Sequence, residues 1–209
     1  MSEIKKFPMG PLQTNCYLIA NNGQALIIDP GGDPAAPVAY LKKTGAELEC
    51  ILNTHLHFDH IYGNHKLSEL SGKTIYASDV DLVLMETEVG RGGLMGFPVV
   101  EPFETQNMST GETELAGLEC RVLSTPGHTP GSLTFYFPEL KAAFVGDVLF
   151  RRSVGRTDFP YGDTEQLMSS LRNVIFTLPA ETVVYSGHGP ETTVGEEMNH
   201  NPFINDLSI

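Results

Sequence analysis

The sequence is poor in cysteine, with three in 209 residues: Cys16, Cys50 and Cys120. Their number is odd and they lie far apart in the chain. No C-x-x-C pair is present, which argues against a structural zinc knuckle. We therefore expect three reduced cysteines in the core, because free cysteine is among the residue types most often buried.

Basic residues are also scarce. Lysine and arginine total 13 against 26 aspartates and glutamates, so the formal net charge is −13. Nucleic acids and anionic membrane surfaces attract basic protein faces, and this charge argues against both as partners. A small anionic substrate stays compatible with it, because a local basic cluster can act within an acidic protein.

Long apolar segments are missing as well. The first residues, MSEIKKFPMG, hold no apolar stretch long enough for a signal peptide. Nothing approaches the roughly 18 apolar residues that a membrane-spanning helix needs. We therefore expect a cytoplasmic protein without a membrane partner. The sequence shows no low-complexity tract and no repeat of fixed period.

Short apolar runs that end in turn residues predict strands in two blocks. The first block holds NCYLIAN, QALIIDPGG, LECILNT and KTIYAS, and the second holds LECRVLST, SLTFYFP, KAAFVGD and TVVYSG. Helices are predicted at DPAAPVAYLKKTG, at residues 60–71, at SDVDLVLMET with Ser78 as N-cap, at TEQLMSSLRNVIFTL and in the tail from Gly195. Residues 88–104 are rich in glycine and proline and predict a long loop. The pattern indicates a mixed α/β fold of two packed sheets with helices outside. We expect a single domain over residues 1–209 and a monomer.

One segment, THLHFDH, concentrates the histidines. His55, His57, Asp59 and His60 fall within six residues, directly after a predicted strand, in a chain with seven histidines. In an extended loop His55 and His57 point the same way, because side chains alternate along the backbone. Asp59 and His60 begin the helix that follows. This concentration of imidazole and carboxylate groups indicates metal ligation.

Three more residues of ligand type follow predicted strands. They are His128, Asp147 and His188, and each has a glycine directly before it. Glycine permits a tight turn or a close backbone approach, and strand ends hold side chains at fixed positions. Asp29 lies at the end of another strand, before Pro30. We interpret the motif as supplying two ligands to each of two metal ions, with the distant residues completing both sites.

The segments THLHFDH, TPGHTPGS, GDVLF and SGHGPETT resemble those of metallo-β-lactamase-fold hydrolases, and within them the glyoxalase II group, the hydroxyacylglutathione hydrolases. The resemblance runs over about residues 13–203. It implies a four-layer αβ/βα sandwich with a two-metal site along one edge of the sheets. One ion would be bound by His55, His57 and His128, the other by Asp59, His60 and His188, with Asp147 bridging both. Donors of this kind, without thiolate, suit zinc, iron or manganese, and zinc is the metal we expect.

The chemistry of such a site suits a thioester. Paired divalent ions make water nucleophilic at neutral pH and stabilise the oxyanion of a carbonyl substrate. Asp59 would be both a ligand and the catalytic residue that orients the nucleophile. A leaving thiolate needs little help from an acid, because thiols ionise near pH ~8.5. The resemblance therefore implies hydrolysis of S-lactoylglutathione to D-lactate and glutathione. The G-x-S-x-G motif of serine hydrolases is absent.

The residues that bind the thiol carrier of the substrate have to be sought separately. Long glyoxalase II enzymes grip glutathione with basic residues of an added C-terminal region, but no lysine or arginine follows Arg172 here. Arg151, Arg152 and Arg156 follow Asp147 closely, and we expect them to hold an anionic tail by forked hydrogen bonds. The alternative is a salt bridge to Asp158 or plain surface exposure.

Other functions on the same fold are possible. A persulfide dioxygenase with a single iron shares a GRTDF-like run, but GHGPETTVGEEMNHNPF resembles the hydrolases. A metal-holding binding module without turnover is the alternative outside enzymology. His60 and Asp147 argue against a β-lactamase, and length and charge argue against a nuclease. Metal content together with a thioester assay separates these possibilities.

Overall fold

Fourteen strands and seven α-helices build the part of the chain that the computed structural model describes, residues 2–205. Residue 1 and residues 206–209, which the predicted domain includes, lie outside the described residues. The strands are β1 Glu3–Met9, β2 Thr14–Asn21, β3 Gln24–Ile28, β4 Glu47–Leu52, β5 Ile75–Ala77, β6 Gln106–Asn107, β7 Gly111–Leu115, β8 Leu118–Ser124, β9 Leu133–Phe137, β10 Ala142–Gly146, β11 Leu149–Phe150, β12 Ser153–Val154, β13 Val183–Ser186 and β14 Thr192–Thr193. The helices are α1 Ala35–Thr44, α2 Phe58–Ile61, α3 Asn64–Ser71, α4 Glu88–Arg91, α5 Thr164–Asn173, α6 Val194–His200 and α7 Pro202–Asn205.

The strands form two six-stranded sheets and one small hairpin. The first sheet has the order β1-β2-β3-β4-β5-β6, the second has the order β14-β13-β10-β9-β8-β7, and β11 pairs with β12. Strands β3 to β6 run parallel to one another. In the second sheet β10 is parallel to β13, and β9 lies antiparallel between β8 and β10. Strands β8, β10 and β13 therefore share one direction, and their carboxyl ends meet at one edge of the sheet.

Each sheet buries both of its faces, because successive side chains of a strand point to opposite sides. In β2, Tyr17 and Ile19 enter the core between the two sheets, where they meet Phe135 and Phe144 of the second sheet. Cys16 and Leu18 face the other way. The core on that outer face of the first sheet also contains Val38 and Leu41 of α1 and Leu67 of α3. Residues Leu167 and Leu171 of α5 cover the outer face of the second sheet. The predicted four-layer αβ/βα sandwich is confirmed.

The helix predicted for residues 60–71 is divided in two. Helix α2 ends at Ile61 and α3 begins at Asn64. Between them the amide of Gly63 donates to the carbonyl oxygen of Pro30, at 2.7 Å. A Cβ atom on Gly63 would lie 2.2 Å from the carbonyl oxygen of Gly32. The chain leaves the helical path here because its backbone packs directly on the loop after β3.

Three other segments differ from the predicted elements. Residues Asp79–Glu86 form a 3₁₀ helix rather than an α-helix, although Ser78 caps it as expected by accepting from the amide of Val80. Helix α5 stops at Asn173, and a 3₁₀ turn, Ile175–Thr177, continues it. The segment expected to be a loop, residues 88–104, contains the short helix α4 and a 3₁₀ turn.

The cysteine prediction is confirmed, since Cys16, Cys50 and Cys120 are all free and buried. Within residues 2–205 no helix combines the length and the apolar character that crossing a membrane requires.

Candidate metal centre

The residues singled out in the sequence converge at one edge of the sandwich. His55 and His57 follow β4, and Asp59 and His60 lie in α2. His128, Asp147 and His188 come after the carboxyl ends of β8, β10 and β13. All seven side chains fall into overlapping groups of three whose candidate ligand atoms lie within 4.8 Å of one another.

One group consists of His55, His57 and His128. The Nδ1 atom of His57 lies 3.0 Å from the Nε2 atom of His128, and the ring centroids of His55 and His128 are 4.9 Å apart. All three side chains are buried. Three imidazoles that turn nitrogen atoms toward one point form the donor arrangement of a zinc-type site.

A second group consists of Asp59, His60 and His188, with Asp147 lying between the two groups. The Nε2 atom of His188 is 3.1 Å from Oδ2 of Asp59. The Oδ2 atom of Asp147 lies 3.6 Å from Nε2 of His188 and 3.7 Å from Nε2 of His128. The other oxygen, Oδ1, lies 3.3 Å from Nε2 of His60. The carboxylate of Asp147 thus faces both groups.

The donor set fits divalent cations. The Nε2 atoms of His55, His57 and His60 and the Oδ1 atom of Asp147 are buried without a hydrogen-bond partner. Buried polar atoms are almost always paired in folded proteins. The Nε2 atom of His55 has no partner and that of His60 faces Oδ1 of Asp147 at 3.3 Å, which indicates a missing partner between them. A cation satisfies imidazole lone pairs and a carboxylate oxygen together.

Hydrogen bonds from the protein hold three of the rings and define their tautomers. Nδ1 of His60 donates to the carboxylate of Asp29 at 3.0 Å, and Nδ1 of His128 donates to the backbone carbonyl of Arg156 at 2.7 Å. The Thr54 hydroxyl donates to Asp29 at 2.6 Å and accepts from Nδ1 of His55 at 3.0 Å. The Nε2 atom of each ring is then left as an acceptor that points inward, which is the usual arrangement around protein metal ions.

Burial and charge shift the pKa values of the groups in opposite directions. Burial lowers the pKa of His57 to about 3 and that of His55 well below its ordinary value. These two imidazoles are therefore neutral at pH 7, the form that binds metal. Burial opposes protonation of His60 too, but the carboxylates of Asp59 and Asp147 raise its pKa well above the ordinary value. A metal ion bound at Nε2 would replace that proton and compensate the same negative charge.

The glycine before each of the three strand-end residues is required by close packing. A Cβ atom on Gly127 would lie 2.2 Å from the amide nitrogen of Leu167, and one on Gly146 would lie 2.3 Å from Oγ1 of Thr54. On Gly187 it would lie 2.2 Å from Oδ1 of Asp147 and 2.5 Å from Cε1 of His60. The sequence-based interpretation of these glycines as sites of close backbone approach is confirmed.

Gly187→Ala is accordingly expected to disturb the candidate site, because the methyl group would occupy the space of Asp147 and His60. We expect metal bound per chain to fall below half of the wild-type value, as measured by elemental analysis. Gly189→Ala is the matched control. Its Cβ meets nothing within 4 Å, although the backbone φ of +76° costs roughly 1 kcal/mol for alanine. Full metal content in the Gly187 variant would contradict this account.

The sequence analysis missed the residues that hold the ligand-type side chains. Thr14 donates its hydroxyl hydrogen to Oδ2 of Asp59 at 2.8 Å. Asp81 is fully buried and accepts from the amides of Leu56 and Gly131 and from the hydroxyl of Thr129. It thereby joins the loop of His55 and His57 to the loop of His128, and burial raises its pKa to about 6. Of the supporting residues, only Asp29 could be noticed in the sequence, because it lies at the end of a predicted strand.

The three arginines after Asp147 have different surroundings. Arg152 donates to the carboxylates of Glu196 and Glu197 at 2.8 and 2.7 Å, so its guanidinium holds α6 to the β11–β12 hairpin rather than facing the site. Arg151 is exposed and does not border the cavity at the metal centre. Arg156 does border it, but Nε and Nη2 bind the carboxylate of Asp158, the alternative considered from the sequence. Substrate binding by the three arginines stays a prediction, and of the three only Arg156 borders the cavity.

Comparison with known proteins agrees with the fold. The chain is 36% identical over 208 residues to "Probable metallo-hydrolase YqgX" of Bacillus subtilis, covering 98% of this chain and 99% of that protein. It is 37% identical over 210 residues to "Hydroxyacylglutathione hydrolase GloC" of Haemophilus influenzae, again covering 98% and 99% of the two chains.

Two solved structures are similar over almost the whole chain. The BLEG-1 B3 metallo-beta-lactamase gives a TM-score of 0.89 at 38% identity, covering 97% of this chain and 99% of that one. TTHA1623, solved in a di-iron-bound form, gives a TM-score of 0.86 at 38% identity, covering 95% and 99%. The sequence profile of the Metallo-beta-lactamase superfamily matches residues 9–188. From these matches and the shared sandwich, the chain belongs to the metallo-β-lactamase superfamily.

Proposed function

We propose that this metallo-hydrolase is a thioester hydrolase that uses two divalent metal ions, with S-lactoylglutathione as its candidate substrate. The observation that carries the proposal is the carboxylate of Asp147 between two groups of imidazole and carboxylate donors. These groups border a cavity of about 300 Å³ that is open to solvent and large enough for a small substrate.

The proposed ligands are the seven residues of the site. His55, His57 and His128 would hold one ion, and Asp59, His60 and His188 the other, with Asp147 shared between them. Zinc is the proposed metal, and iron or manganese suits the same donors. Bound ions would lower the pKa of water and withdraw electrons from a substrate carbonyl. In the reaction, the oxygen of water bonds to the acyl carbon, the carbon–sulfur bond breaks, and a carboxylic acid and a thiol are released.

Asp59 has the proposed catalytic role. Its Oδ2 atom is held by the Thr14 hydroxyl and faces His188, and the side chain borders the cavity. A carboxylate fixed in this way can accept a hydrogen bond from the attacking water and orient it toward the acyl carbon. His60 and His188 lower the pKa of Asp59 despite its burial, so the group is an acceptor at neutral pH.

The cavity suits a thioester better than an ester or an amide whose leaving group has a high pKa. Among residues 2–205, no lysine borders the cavity, and the pKa values of its two carboxyl groups, Asp59 and Asp147, are lowered, so neither supplies an acid for a poor leaving group. A thiolate leaves without that help, because thiols ionise near pH ~8.5. The relative named as a hydroxyacylglutathione hydrolase is 37% identical over nearly the full chain, which favours the same class of substrate.

The proposal is tested by metal analysis and turnover on the same preparation. Protein with two equivalents of zinc, iron or manganese is expected to hydrolyse S-lactoylglutathione, and removal of the metal by a chelator should abolish the activity. A β-lactam serves as the contrast substrate. Metal-loaded protein that hydrolyses the β-lactam but no thioester would refute the proposal, as would activity that survives complete metal removal.

A further inference from the structure

The cavity at the metal centre has largely apolar walls. They are formed by side chains from separate parts of the chain: Leu12, Phe58, Val89, Phe150 and Phe159. The ring of Phe159 lies 5.7 Å from that of His57, and the ring of Phe150 lies 6.3 Å from that of His188. Apolar surface therefore flanks the candidate centre on the sides of both donor groups.

The one arginine or lysine that borders the cavity, among residues 2–205, already has a partner. The guanidinium of Arg156 lies 2.9 and 2.7 Å from the two carboxylate oxygens of Asp158. It also lies over the ring of Phe159, 4.2 Å from the centroid. The pair adds no net charge to the cavity wall. Asp158 occupies Nε and Nη2, so a carboxylate of the substrate would share the guanidinium with Asp158 or replace an existing charged contact, and its net gain would be small.

The apolar surface continues from the cavity toward its mouth. Phe58 packs against Phe97, with ring centroids 5.2 Å apart. Phe97 belongs to a turn closed by a bridge between Gly92 and Val99, and the side chain of Met95 in that turn is 86% exposed. Leu12 is 42% exposed. Leu12 is itself part of the cavity wall, and exposed apolar surface at a binding cavity favours contact with an apolar part of the ligand.

We infer that the site recognises thioesters through the uncharged groups on either side of the thioester bond and is indifferent to charges farther along the thiol. This inference rests on the proposed thioester hydrolysis and specifies its substrate class: thioesters of small thiols, with or without charge. In glutathione the carboxylates and the ammonium group lie several bonds from the sulfur. Those ends would stay in water outside the cavity, while the acyl group and the cysteine methylene contact its walls.

The test compares two carriers of the same acyl group, S-lactoylglutathione and the uncharged S-lactoyl-N-acetylcysteamine. We expect values of kcat/KM within about threefold of each other, and KM values that change little as salt screens exposed charges. A glutathione thioester preferred by about tenfold or more, with the preference shrinking at high salt, would overturn the inference. Thioester hydrolysis itself would still stand in that case.

A matched pair of variants tests the apolar contact directly. Leu12→Ser is expected to raise KM for both thioesters by the same factor, roughly 3- to 10-fold, because apolar surface is lost at the mouth. Leu82→Ser makes the same change at a residue that is 45% exposed and does not border the cavity, and it should leave both KM values unchanged. Unaltered KM values in the Leu12 variant would overturn the inference. If the metal-loaded protein hydrolyses neither thioester, the proposed function fails and this inference fails with it.

Discussion

Asp147→Ala protein is expected to bind neither metal ion firmly and to lose thioester hydrolysis by a factor on the order of 10³ or more. The reason is the place of the carboxylate: one oxygen faces His60 at 3.3 Å, and the other lies 3.6 Å from His188 and 3.7 Å from His128. Its removal takes a donor from both groups and leaves Asp29 and Asp59 as the carboxylates near His60. Metal per chain by elemental analysis, together with kcat for S-lactoylglutathione, measures the effect.

Asp79→Ala is the control for the Asp147 variant, since Asp79 is an exposed aspartate outside the cavity. It should keep both ions and full activity. Near-normal circular dichroism is expected for both variants, because the cores on either side of each sheet do not include Asp147. Two tightly held equivalents of metal in the Asp147 variant would show that this carboxylate is not shared between the ions.

His57→Ala is expected to have a narrower effect and to lose one ion while keeping the other. His57 belongs to the group with His55 and His128, its Nδ1 atom lies 3.0 Å from Nε2 of His128, and it takes no part in the group of Asp59, His60 and His188. Metal content should fall from two equivalents toward one. Activity should fall by roughly 10²- to 10³-fold, as when one electrostatic stabiliser of an oxyanion is removed.

Titration with a competing chelator should show one metal-binding step in this variant instead of two. The affinity of the remaining step should be close to its wild-type value. His200→Ala serves as the control, because His200 is exposed and contacts Glu196 far from the cavity. Full activity in His57→Ala, or loss of both ions, would contradict the division into two groups.

The sequence predicted the central strands and the seven residues that converge at the candidate centre because each signal is local. A β-branched run marks a buried strand, and a glycine with a ligand-type residue directly after it marks the strand end. Strand β1 was missed because it lies at the edge of its sheet. Its residues Lys5, Lys6 and Pro8 are typical of an edge strand but do not resemble a buried one.

Other features could not be predicted because they depend on residues distant in sequence. The break between α2 and α3 requires the carbonyl of Pro30. The guanidinium of Arg152 binds Glu196 and Glu197, about 45 positions later in the chain. Arg156 meets a carboxylate only two positions away, and this contact was foreseen as the alternative to substrate binding. A cluster of arginines in sequence gives no information on how many carboxylates already surround each one in space.

The hydrogen bonds to Asp29, Thr54 and the backbone carbonyl of Arg156 have a consequence for how the protein acquires its metal. These partners orient His55, His60 and His128 through the protein's own contacts, so the fold defines the geometry of the donors whichever ion is bound. A rigid pocket of imidazoles and carboxylates accepts several first-row ions, and affinity alone does not select among them. The growth medium and the ion stores of the host cell would then set the metal found after purification. Preparations from iron-rich and zinc-supplemented cultures would differ in colour and turnover while sharing one polypeptide and one fold.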